Sequence, residues 1–160
     1  MQEQDSLNLE QILKQASMPD KTVIITTLNE AWATQNTMID LFLESFRAGN
    51  DTARFLHNLI IVALDQKAYD RCVTVHLHCL QLRTDGVDFS GEKLFMTSDY
   101  LRMMWRRIEF LRQVLEEGYS FIFSVCFSFF WKQKNIHCVF STIWWLHIHS
   151  RVKHLLNKHS

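Results

Sequence analysis

Two short runs, KTVIITTLN (Lys21–Asn29) and HNLIIVALD (His57–Asp65), most constrain what this chain can fold into. Each is a continuous stretch of Val, Ile and Leu rather than an alternation of apolar and polar residues, the pattern of a strand buried on both faces. Such strands belong to a parallel sheet covered by helices, and the sequence around them has helical character. In NTMIDLFLESFRAG, Asn36 or Thr37 caps a helix, Met38, Leu41, Phe42 and Phe46 share one face, and Gly49 supplies a left-handed stop. QKAYDRCVTV is a second helix, HCLQLRT (His78–Thr84) a third strand, and DGVDFSGEKLF a loop. TSDYLRMMWRRIEFLRQVLEEG carries the clearest helical period, through Leu101, Met104, Trp105, Ile108, Leu111 and Leu115, between a Thr/Ser/Asp cap and Gly118. YSFIFSV follows as the next strand, and residues 5–16 form a short amphipathic helix closed by the only proline, Pro19. The order predicts an α/β fold with a mostly parallel sheet and covering helices.

Composition divides the chain unevenly. All 17 acids and 12 of the 17 Lys/Arg lie in residues 1–117, a balance of −5, whereas 118–160 hold five Lys/Arg and no acid. The same tail carries five of the eight His and three of the five Trp, which suggests two pieces of different origin. Its apolar runs are about 13 and 11 residues long, shorter than the ~18–20 a spanning helix needs. The polar amino terminus has neither a signal-peptide pattern nor an apolar anchor, so the chain taken literally reads as cytoplasmic or as lacking its leader. Cys72, Cys79, Cys126 and Cys138 show no metal-finger spacing and predict neither a zinc site nor a disulfide framework. The run CVTVHLHC is read as buried Cys and half-exposed His rather than as a metal cluster.

No GxGxxG, P-loop or GxSxG motif occurs, which removes the defining elements of dinucleotide-binding folds, P-loop kinases and α/β-hydrolases. Ligands of open parallel sheets bind beyond the carboxyl ends of the strands, so the polar residues there are the candidates. Thr26, Thr27 and Asn29 sit where hydroxyls and an amide meet a nucleotide, or where an ordinary polar turn falls. Asp65 has two roles open to it: accepting hydrogen bonds from a sugar hydroxyl, or capping the helix that follows. Arg106 and its neighbour Arg107 lie on the long helix, either facing a ligand diphosphate or solvated.

Taken together, PDKTVIITTLNEAWA, MIDLFLESFRAGN, HNLIIVALDQKAYDRC and RTDGVDFSGEKLFMTSDYLRMMWRRIEFLRQVLEEGY resemble the plant nucleotide-diphospho-sugar transferase family (glycosyltransferase family 77), over residues 8–124. The resemblance implies the Rossmann-like amino-terminal half of a GT-A domain and glycosyl transfer from a nucleotide-sugar donor. It also implies a Golgi protein held by an amino-terminal membrane helix, acting in several members on plant cell-wall glycans. Thr26, Thr27, Asn29, Asp65 and Arg106 become the expected nucleotide-sugar-binding residues. The strand after the long helix would end in an Asp-x-Asp motif holding Mn²⁺ or Mg²⁺ on the donor diphosphate, where two carboxylates neutralise the leaving group's charge.

The chain departs from the family at that point. The two acids would fall at Val125 and Phe127, neither of which ligates a hard cation, so no metal is expected for this chain. The expected division is a polar segment at 1–19, a partial transferase domain at 20–124, and an irregular, aberrant basic tail at 125–160 that looks like intron read-through. A truncated, catalytically inactive form is the resulting expectation. The alternative is a binding or regulatory fragment that associates with a full-length homologue. A nucleic-acid partner is not expected.

Overall fold

The computed structural model describes residues 2–82 and 98–124. Within them the elements run α1 (Gln2–Ala16), β1 (Thr22–Leu28), α2 (Glu30–Ala33), α3 (Met38–Ala48), a 3-10 turn (Ala53–Asn58), β2 (Leu59–Ala63), α4 (Gln66–Val75), β3 (Cys79–Gln81), α5 (Ser98–Glu116) and β4 (Ser120–Phe123). The four strands form one sheet in the order β3-β2-β1-β4, and each neighbouring pair is parallel. The expected α/β architecture is present. Of the run His78–Thr84, the strand occupies Cys79–Gln81 among the described residues. The segment 125–160 and the loop DGVDFSGEKLF lie outside them.

Successive strand residues point to opposite faces, and the sheet buries both. On one face, Ile24, Leu28, Leu59, Ile61 and Ala63 pack with Ile39, Leu43 and Phe46 of α3 and Ala68 and Cys72 of α4. On the other, Val23, Ile25, Ile60 and Val62 meet Leu9, Leu13 and Ala16 of α1 and Phe110 and Val114 of α5. All five residues of β2 are buried, so its unbroken apolar run is the direct consequence of helices on both sides.

Two helix faces are rotated from the sequence expectation. In α3 the inward residues are Ile39, Leu43 and Phe46, while Leu41 is 50% exposed. In α5, Leu101, Trp105 and Ile108 are exposed, and Phe110 and Val114 carry the burial. Each helix carries a broad apolar stripe, and contact with the sheet selects one edge of it.

Turn chemistry differs at one glycine and agrees at another. Gly49 ends α3 in extended conformation (φ −72°), not in the left-handed one. It is glycine for a spatial reason: a Cβ there would collide with the Thr52 hydroxyl. Gly118 does adopt a left-handed φ of 81°, and Tyr119 N–H then donates to Val114 O, closing α5. At the end of α1, the Asn58 side chain donates to Ala16 O at 2.9 Å, satisfying a carbonyl the helix leaves unpaired.

The spacing of the four cysteines predicts no disulfide framework, yet Cys72 and Cys79 form a disulfide, Cα–Cα 6.0 Å. The last turn of α4 and the first residue of β3 meet because the connection between them is tight, a proximity that a spacing of seven residues does not announce. Both cysteines are buried as expected, whereas His78, expected at the half-exposed level of His76, is buried with them.

Candidate nucleotide-binding crevice

The chain advances from β1 through β2 to β3 on one side of the sheet and then places β4 on the other side of β1. In open α/β sheets such a reversal marks a crevice beyond the carboxyl ends of the strands, here β1 and β4, as the place where ligands bind. Register fixes the rim: Leu28 lies beside Ala63 in β2, and Ile25 lies beside Phe123 in β4.

The five residues expected from sequence are distributed unequally around this crevice. Thr27 and Asn29 stand at the exit of β1, both half-buried. Asn29 begins α2 in extended conformation, and its side chain does not cap that helix. Thr26 points the other way. It is 1% exposed, its hydroxyl has no hydrogen-bond partner among the described residues, and it alternates with Thr27 so that the two side chains leave opposite faces of the strand.

Asp65 is occupied by the backbone. Its Oδ1 accepts from Ala68 N at 2.8 Å as the cap of α4, and its Oδ2 accepts from Glu30 N at 2.6 Å at the start of α2. The carboxylate thus ties two helix amino termini together, where the partial positive charge of unpaired N–H groups favours it. Of the two roles open to it, capping is the one its contacts fill.

Arg106 is half-buried on α5. Because α5 runs back toward the amino end of β4, its first turns lie at the carboxyl pole. Arg107 holds its guanidinium 5.5 Å from the centroid of the Phe123 ring, at the end of β4. The helix therefore brings the Arg107 guanidinium to the carboxyl end of β4, where a cation suits an anionic ligand.

Sequence reasoning missed further polar groups on this rim. Glu30 forms an ion pair with Lys67, and Gln81 donates to Gln66, which in turn donates to Asp70. Helical spacing makes the last pair legible (Gln66 and Asp70 are four apart), whereas the first joins residues 37 apart and is decided by the β1–β2 contact. Among the described residues no group of three or more His, Cys, Asp or Glu is arranged to hold a metal ion. Val125 and Phe127 lie outside the described residues, and their side chains carry no donor atom for Mn²⁺ or Mg²⁺.

Two histidines with displaced protonation lie at the opposite pole. His76 ends α4 with its Nε2 donating to Leu59 O at 2.7 Å, and its ring centroid is 6.1 Å from that of His78. Burial holds the pKa of both below the ordinary histidine value, and the neighbouring imidazoles reinforce this. An open hollow lined by Met18, Pro19, Asp20, Arg54, Phe55 and Asn58 also lies away from the crevice. No helix among the described residues is long and apolar enough to cross a membrane.

Comparison with known families gives this arrangement its context. Residues 54–126 match the nucleotide-diphospho-sugar transferase family. The matched stretch runs from the 3-10 turn before β2 to just past β4, so it contains β2, α4, β3, α5 and β4. Two Arabidopsis thaliana proteins described as uncharacterized are similar as well: At4g15970, 52% identical over 78% of this chain, and At1g28695, 50% identical over 66% of it. The chain spans about a third of the length of both relatives, 34% and 33%. No solved structure matches it. The parallel sheet is consistent with that match, being of the kind a Rossmann-like nucleotide-sugar transferase domain has.

Proposed function

We propose that the crevice beside β1 receives the nucleoside diphosphate of a sugar donor, and that this chain does not complete glycosyl transfer. The observation that carries the reading is the polar exit of β1, Thr27 and Asn29, at the sheet's point of reversal, in a chain whose residues 54–126 match the transferase family. Thr27 and Asn29 offer a hydroxyl and an amide to the nucleoside, and Arg106 offers charge to the diphosphate. Thr26 and Asp65 serve the fold, one inside the core and the other holding α2 and α4. The second half of the reading rests on Val125 and Phe127. Without two carboxylates there, the pair expected to anchor a divalent cation beside the departing diphosphate is missing from the sequence, and the charge that builds up as the glycosidic bond breaks lacks that counter-charge. The working compartment is a secretory lumen, Golgi included, a placement supported by the Cys72–Cys79 disulfide.

Equilibrium binding of UDP, GDP and CDP to the purified chain, with and without Mn²⁺, tests both halves. Binding of one nucleotide that Mn²⁺ does not strengthen is expected, weakened about 5-fold by Asn29→Ala for the loss of one hydrogen bond and unchanged in Thr26→Val. Metal-dependent hydrolysis or transfer of a nucleotide-sugar by the wild-type chain refutes the inactive reading. Binding indifferent to Asn29→Ala refutes the site.

A further inference from the structure

The end of the molecule opposite the crevice carries a second feature that the transferase reading does not use. Asn50-Asp51-Thr52 is the only Asn-x-Ser/Thr sequence in the chain. It lies in the turn between α3 and the 3-10 turn that leads into β2, and so at the amino pole of the sheet. All three residues are accessible or partly so: Asn50 and Asp51 are exposed and Thr52 is half-buried. Among the described residues the Asn50 amide has no hydrogen-bond partner. Its neighbours are engaged: Thr52 Oγ1 donates to Phe46 O at 2.7 Å, Asp51 takes a left-handed φ of 58°, and its carboxylate pairs with Arg54 at 3.2 Å. The turn therefore holds its shape through residues 51 and 52 and presents Asn50 outward with nothing to lose.

The Cys72–Cys79 disulfide independently supports the compartment in which such a turn is modified. Cys72 and Cys79 are joined, and both residues are buried. Disulfides of this structural kind persist in oxidising lumens and are rare where thiols are kept reduced. That is also where asparagine glycosylation takes place.

We propose that Asn50 is an N-glycosylation site. In the reaction the side-chain Nδ2 forms a bond to C1 of an oligosaccharide carried on a polyprenyl diphosphate. The C1–O bond to the diphosphate breaks, the polyprenyl diphosphate leaves with that electron pair, and the amide gives up one proton to the solvent. The glycan stands at the amino pole of the sheet, so it leaves the β1/β4 crevice open. The inference rests on the lumenal placement proposed above and not on donor binding, which allows the two to fail separately.

The test sends the full 160-residue chain into microsomes behind a cleavable signal sequence and reads its mobility before and after endoglycosidase. One glycosidase-sensitive increment is expected in the wild type and in Thr52→Ser. It disappears in Asn50→Gln, which leaves the Thr52–Phe46 bond in place, and in Thr52→Ala. Mass spectrometry after enzymatic deglycosylation is expected to find residue 50 converted to aspartate. Failure of the wild type to shift, in a reaction that modifies a control glycoprotein, overturns the proposal, as does an increment that survives Asn50→Gln. Nucleoside diphosphate binding equal in Asn50→Gln and wild type supports the separation of the glycan from the crevice, and a loss in the variant overturns it.

Discussion

Asp65→Ala separates the structural role of this carboxylate from a donor-binding one. The substitution removes two acceptors at once, the cap on Ala68 N and the longer-range bond from Glu30 N. Losing an aspartate cap costs about 1 kcal/mol. A hydrogen bond to a charged group adds about 1.5–3 kcal/mol. Asp65 is only half-buried, so water replaces part of what is lost, and a net cost of about 2–3 kcal/mol follows from the lower part of those ranges. For a domain of this size each kcal/mol moves the melting temperature by about 2–4 °C, so thermal unfolding followed by far-UV circular dichroism should drop by roughly 5–10 °C. Asp65→Asn keeps one neutral acceptor and should lose about half as much. The decisive comparison is nucleoside diphosphate binding by the folded variant, measured well below its melting temperature. A variant that melts with the wild type yet no longer binds nucleotide refutes the reasoning, because Asp65 would then be a ligand group and not a cap.

Three other outcomes follow from the same contacts. Replacing Cys72 and Cys79 together with Ala should destabilise by about 2.5 kcal/mol, the chain entropy of a loop of about eight residues, and a reductant should have no further effect on that variant in urea unfolding. Phe110→Ala, at a side chain 2% exposed between α5 and the sheet, should cost about 3–5 kcal/mol and collapse near-UV dichroism before far-UV dichroism is lost. His76 and His78 have folded-state pKa values lowered by burial, so the unfolded chain binds more protons than the folded one in the window just below the ordinary histidine pKa of about 6.5. Stability should therefore be complete above that value and fall as the pH drops through the window. The melting temperature against pH checks this, and a flat profile between neutral pH and about pH 5 in the wild type contradicts it.

The strands were legible because burial on both faces leaves an unbroken signature. Val23, Ile24 and Ile25, like the five residues of β2, are apolar with no polar alternation, and a covered parallel sheet is the arrangement that accommodates them. Gly118 was legible for a local reason too, since a helix ending in a left-handed turn favours glycine wherever it is placed. Legible in part was Asp65, whose position at a strand-to-helix junction marks a cap, while its second bond to Glu30 joins residues 35 apart. The 3-10 turn and the short α2 carry too little periodicity to be read at all.

From the sequence alone came the parallel α/β class, the long helix, the polar exits of the strands and the absence of carboxylates at positions 125 and 127, because each is a property of residues close together in the chain. Tertiary structure decided the rest. It distinguished Thr26 from Thr27, neighbours that a strand turns to opposite faces, burying the first in the core and leaving the second half-buried near the exit of β1. It turned Leu101, Trp105 and Ile108 outward and Phe110 and Val114 inward, because a helix offers a stripe and the sheet selects its edge. It joined Cys72 to Cys79 by bringing the end of one element to the start of the next, at a distance no spacing of letters encodes.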